Sequence, residues 1–217
     1  MLRLIKTSAA LLTALALALL LAGCMITSEK PLLADAEGAT PLPASFAFFP
    51  YERDGDGYLR SKDPPATFTL KGNHYLAAGL PDMKASLDIR FVPIGDDAYL
   101  LAATEGEEPG VIYGFARYAD DVLSVELTPT EKTTEALEEA RKGATPRVRR
   151  ALQELTISQE TDGITLASRA ALDALVEMYL GGRLPMSQPA VAYIAPDTST
   201  TPPARLAADG RHWTSVP

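Results

Sequence analysis

Between residues 44 and 127 the apolar residues come in short alternating runs separated by tight turns, and this confines the chain to antiparallel sheet architectures. Phe46, Phe48 and Phe49 lead into Tyr51-Glu52-Arg53, Asp54-Gly55-Asp56-Gly57 turns, and Tyr58-Leu59 resumes. Asp-Gly between aromatic runs is a hairpin signal. Thr67–Leu70 and His74–Ala77 flank Lys71-Gly72-Asn73, while Leu87, Ile89 and Phe91 alternate with Asp88 and Arg90. Gly95-Asp96-Asp97 turns into Ala98–Thr104, and Glu105–Gly110 is a polar loop before Val111, Tyr113 and Phe115. Ala119-Asp120-Asp121 turns into Val122–Leu127. Parallel neighbours need crossovers of a dozen residues or more, which these gaps cannot supply. The pattern predicts an antiparallel meander that can curl toward a barrel.

At Thr128 the period changes to that of helices. Thr128-Pro129-Thr130-Glu131 reads as a capping box with Pro at the first helical place, and Glu131–Lys142 ends at Gly143. Thr145-Pro146 opens a second helix with Val148, Leu152 and Leu155 at helical spacing. Arg147, Arg149 and Arg150 crowd its N-terminus, where the helix dipole disfavours cations. Thr156–Ser158 and Ile164–Leu166 flank Thr161-Asp162-Gly163 as a small hairpin. Ser168 caps the strongest helix, in which Leu172, Leu175, Val176, Tyr179 and Leu180 share a face before Gly181-Gly182. The fold class expected is therefore α+β, an N-terminal antiparallel β-sheet followed by two or three helices packed on it. Val191–Ile194 adds an edge strand, and Asp197–Pro217, with His212-Trp213, reads as a loose tail.

The N-terminus locates the protein. Arg3 and Lys6 precede Leu11–Leu21, a run almost wholly of Leu and Ala, and Ala22 and Gly23 are small residues before Cys24. This is a secretory signal. Leu21-Ala22-Gly23-Cys24 resembles the lipobox of bacterial lipoproteins. The resemblance covers the signal only, and no named family is recognised for the rest of the chain. It implies cleavage before Cys24, a diacylglycerol on the sulfur and a further acyl chain on the new amino group, and several chains anchor firmly. It also implies a place at the periplasmic face of the outer membrane rather than the inner one, because Met25 and not Asp follows the cysteine.

These readings divide the chain into a signal peptide (1–23), a lipidated cysteine with a flexible tether (24–43), one α+β domain (44–184) and a Pro/Thr/Ala-rich, largely disordered tail (185–217). A flexible chain of about 20 residues spans about 25 Å, so the domain is expected to hang clear of the bilayer. Losing residues 1–23 removes Arg3 and Lys6 and no acid, which moves the formal charge from −8 to −10. That acidity argues against nucleic acid as a partner. Cys24 is the single cysteine, so its lipidation leaves no disulfide, thiolate metal site or cysteine nucleophile.

Candidate sites are few. Glu52, Asp54, Asp56 and Asp63 fall at the first, third, fifth and twelfth places of an EF-hand-like loop, with Gly57 at the sixth and Leu59 at the eighth. Glu replaces the usual first Asp, Asp the usual last Glu, and Pro64-Pro65 disfavours an exiting helix, so an acidic hairpin turn accounts for them better. Arg141, Lys142, Arg147, Arg149 and Arg150 form a basic patch that could meet phosphate or an acidic partner, or be a solvated helix connection. His74 lies in a strand, and Glu105, Glu107 and Glu108 fit a solvated loop better than a catalytic pair. No phosphate-binding loop, dinucleotide motif or nucleophile motif is present, and no cofactor is expected. Phe46, Phe48, Tyr75, Phe91, Tyr99, Tyr113 and Phe115 can line either a core or a ligand cavity. The expectation is an envelope lipoprotein with a non-enzymatic interaction or assembly role. A carrier of a small apolar or lipid ligand comes second, and a hydrolase with an unrecognised carboxylate site third.

Overall fold

The alternating strands of residues 45–126 close into a barrel with one further strand, residues 190–195. The structure, a computed structural model, describes residues 25–78, 86–106, 110–127, 129–157 and 163–207. The strands are β1 (Ile26–Ser28), β2 (Ser45–Asp54), β3 (Gly57–Arg60), β4 (Ala66–Lys71), β5 (His74–Ala78), β6 (Leu87–Pro93), β7 (Ala98–Glu105), β8 (Val111–Ala119) and β9 (Val122–Glu126). After them come helices α1 (Glu131–Gly143) and α2 (Pro146–Gln153), strands β10 (Leu155–Ile157) and β11 (Ile164–Leu166), helix α3 (Arg169–Leu180), and strands β12 (Ala190–Ala195) and β13 (Arg205–Leu206). Pairing runs β8-β7-β6-β5-β4-β2-β12-β9 and returns from β9 to β8, an eight-stranded antiparallel barrel. The class is α+β with a barrel-like antiparallel sheet.

Two long strands each divide one edge between two partners, and a special residue marks each division. β8 pairs with β1 up to Ile26↔Tyr113 and with β9 from Phe115↔Glu126, switching at Gly114. A Cβ on Gly114 would overlap Leu127 Cδ2 and come 2.9 Å from the Glu126 carbonyl oxygen, so only glycine lets Leu127 turn into the barrel there. β2 pairs with β4 over Ser45–Phe48 and with β3 over Tyr51–Asp54, and Pro50, which has no N–H to offer, lies at the changeover. The turns obey local chemistry. Asp120 and Asp121 both take positive φ between the paired Ala119 and Val122, and Gly55 does so between β2 and β3.

Three apolar clusters follow from strand alternation. Phe46, Phe48, Phe68, Tyr75, Phe91, Leu101, Leu123 and Ile194 fill the barrel. Phe46 and Phe68 stack at 5.0 Å, and Tyr75 meets Phe91 edge-on at 5.8 Å. A second cluster joins Leu100, Val111, Tyr113 and Phe115 of the strands with Leu137, Leu152, Leu172, Leu175 and Met178 of the helices. Tyr113 and Phe115 thus leave the interior to Gly114 and Ala116 on the other face of β8. A third joins Ala47, Phe49, Tyr51 and Val191 to Tyr58 and Leu206.

Several sequence expectations are corrected. Residues 25–43 are not a tether: β1 pairs with both β8 and β11, and Met25, Ile26, Leu33 and Leu42 are buried. Three-residue strands carry too little periodicity to be read from sequence. β12 is no edge strand but lies between β2 and β9, closing the barrel. In the segment read as a loose tail, β13 pairs with β3, and Tyr51 Oη donates to the Pro203 carbonyl. His212 and Trp213 lie outside the described residues. The N-cap of α1 is Thr130, whose amide donates to Thr133 Oγ1 at 2.9 Å, two residues later than the box read at Thr128. In α3 Leu180 is exposed, and Met178 takes the buried place expected of it.

Candidate functional site

The barrel interior is the first place to look for a ligand. Its void is about 30 Å³, measured to the centre of a water-sized sphere, and its lining is entirely apolar. A site needs about 10–15 Å³ by that measure for one water, and an apolar void of this size stays dry. Leu42 lines the void. Tyr75 Oη accepts a hydrogen bond from the Leu42 amide at 3.1 Å and donates to the Leu42 carbonyl at 2.7 Å.

Two open concavities lie on the helices. α2 and α3 border a hollow of about 660 Å³, and α1, α2 and α3 border another of about 610 Å³. Val148, Ala174 and Glu177 line both, so the two adjoin. Ala136, Ala140, Ala144, Ala151 and Met178 supply more apolar wall, and Arg147, Arg150, Glu154, Asp173 and Arg183 supply charge. Alanines in the facing helices keep the floor shallow and broad.

A polar seam joins α3 to the barrel. Tyr179 stacks on Phe115 at 3.9 Å and donates to Glu126 Oε1 at 3.1 Å. The Arg117 guanidinium lies 5.9 Å from the Tyr179 ring centre and donates to Asp97 Oδ1 at 2.9 Å. Burial pushes the Glu126 carboxyl above its ordinary range, and the Tyr179 hydrogen bond and the Arg117 charge partly offset this. Burial, with the Glu126 charge, pushes the Tyr179 hydroxyl up to about 12.

The structure disperses both clusters singled out in the sequence. Asp54 pairs with Arg205, and Asp56 sits in the β2–β3 turn. Glu52 and Asp63 come together on the Ser61 hydroxyl, at 2.9 and 3.1 Å. The extended hairpin lets Arg205 and Ser61 draw these carboxylates apart, whereas an EF-hand loop wraps its ligands round one centre. Among the described residues no group of three or more His, Cys, Asp or Glu side chains is placed to hold a metal ion.

The basic patch divides by task. Arg141 of α1 donates to the Leu152 carbonyl at 3.2 and 2.9 Å and to that of Leu155 at 3.2 Å, at the end of α2. Arg149 of α2 donates back to the carbonyls of Arg141, Lys142 and Ala144, at the end of α1. Each arginine thus serves the negative end of the other helix. This resolves the conflict at the start of α2: Arg149 belongs electrostatically to the preceding helix. Lys142 pairs with Glu139 at 3.5 Å, and Arg147 and Arg150 border the larger hollow. His74 faces Asp88 at 3.5 Å. Cys24, Leu21, Ala22, Gly23, Glu107 and Glu108 lie outside the described residues.

No family model matches the chain, and no curated protein or solved structure matches it. Sequence reasoning missed the hollows, because they arise from alanines in three separate helices.

Proposed function

We propose that this chain is a bacterial envelope lipoprotein, anchored by acyl chains on Cys24, with a non-enzymatic role as the binding partner of another envelope protein. Leu21-Ala22-Gly23-Cys24 after the apolar run supports the anchor, and Met25 in the following position supports the periplasmic face of the outer membrane. The observation that carries the choice of activity is the packed barrel, with a void of only about 30 Å³. Small-molecule sites run to about 300–1,000 Å³. The helices, held to the barrel wall by Tyr179 on Phe115 and Glu126, present the open concavity instead. Its apolar floor and charged border suit a partner's side chains or an amphipathic helix.

The alternative reading, a carrier, draws support from the wholly apolar lining of the void. It would require the barrel to open, since the interior aromatics already occupy the space. Replacing Val148, in the wall common to both hollows, tests the two. In the lipidated protein in its host envelope, Val148→Glu should lose a stoichiometric crosslinked protein that Thr69→Glu, on β4 across the barrel, retains. Equal partners for both variants, or an apolar small molecule recovered with the wild type, would overturn the adaptor reading.

A further inference from the structure

We propose that the protein has no working tether, and that the wall formed by β1, β11 and β10 rests directly on the lipid headgroups. This builds on the reading that Cys24 is acylated and names the lipid surface as a second partner. The argument begins with Met25, the first described residue, which is 7 % exposed and belongs to the barrel's interior cluster. Its carbonyl accepts the Ile164 amide at 2.8 Å, and Ile26 pairs with both Ile164 and Tyr113. Adjacent Cα atoms are about 3.8 Å apart, so an acylated Cys24 lies one residue step from a fixed point in the fold. Each headgroup layer is about 5–8 Å thick. A thioether at the acyl boundary therefore places Met25 within the headgroup depth, and the β1 wall must lie against it.

The outward side of that wall fits the position. Strand alternation turns Ile26, Ile164, Leu166 and Leu155 inward. Thr27, Thr165 and Thr156 face out in one register row, Thr27↔Thr165 and Thr165↔Thr156. Thr165 and Thr156 are exposed and Thr27 partly so. On a chain whose mature charge is −10, this row is uncharged, and its hydroxyls can donate to phosphate and ester oxygens. Within the row itself no charge opposes the headgroups.

The test uses the full lipidated protein in vesicles of phosphatidylethanolamine and phosphatidylglycerol containing headgroup spin-labelled lipid. A fluorophore is placed on Thr165→Cys, about 10 Å from Cys24 along β1 and its neighbour, or on Thr69→Cys. Mass spectrometry first establishes acylation of Cys24. The expected result is at least twofold stronger quenching at position 165 than at 69, lost when twelve Gly/Ser residues are inserted between Cys24 and Met25. Acylated protein with equal quenching at both positions, or a pattern unchanged by the insertion, would overturn flush seating and leave the lipoprotein reading standing. Protein without acyl chains would overturn both.

Discussion

Tyr75 and Leu42 exchange two hydrogen bonds through a single phenol, which accepts the Leu42 amide at 3.1 Å and donates to its carbonyl at 2.7 Å. Both residues are buried, so this clasp fixes Leu42 in the cluster that fills the barrel. Tyr75→Phe keeps the ring among Phe46 and Phe91 but strands a buried N–H and C=O. It should cost about 1–3 kcal/mol, read as a lowered midpoint in urea unfolding. A wild-type midpoint would mean that the two hydrogen bonds add nothing to stability.

Gly114 tests closure. Gly114→Ala drives a methyl into Leu127 and against the Glu126 carbonyl, and overpacking of this kind costs about 1–3 kcal/mol. Gly114→Ala should cost less when made on Leu127→Ala than on the wild type, because Cδ2 is then absent, but it should still cost something, because the carbonyl contact persists. Unfolding curves of the two variants check this. A single variant as stable as wild type would place the switch of partners elsewhere on β8.

The reciprocal arginines separate capping from surface charge. Arg149→Ala leaves the carbonyls at the end of α1 to water and should cost about 1 kcal/mol. Arg150→Ala, bordering the hollow, should change stability by less than about 0.5 kcal/mol. Thermal melts of the two variants give the comparison. Equal losses would return both to one undivided patch.

Glu126 carries a pH signature. Burial raises its folded-state pKa above the unfolded value, so the native state binds the proton more tightly. Its contribution is most favourable below the unfolded pKa and declines as pH rises through the folded one. Glu126→Gln keeps an acceptor for Tyr179 and removes the buried charge. The variant should lose less stability than wild type on passing from pH 4 to pH 7, and stand at or above it at neutral pH. Parallel pH–stability curves for the two would show that Glu126 titrates alike in the folded and unfolded states, so that the seam does not shift it.

Local chemistry made much of the barrel legible. Phe46–Leu127 alternate at period two, and Asp120-Asp121 and Gly55 mark turns that the backbone requires. Closure was not legible. β12 finds β2 and β9 across long separations, and Val191–Ile194 beside prolines says nothing local about lying between them. β1 is three residues long and draws its stability from an edge of β8 left open by Gly114. The division of the basic patch was not legible, because composition shows five cations together, while only side-chain direction shows Arg141 and Arg149 turned onto carbonyls.

The most direct test of the central claim is native mass spectrometry of the Cys24→Ala secreted form recovered from its own host's envelope. The packed interior and open helical face lead us to expect the bare mass or a complex with a second protein. A stoichiometric small apolar molecule would contradict the account and make the barrel a carrier.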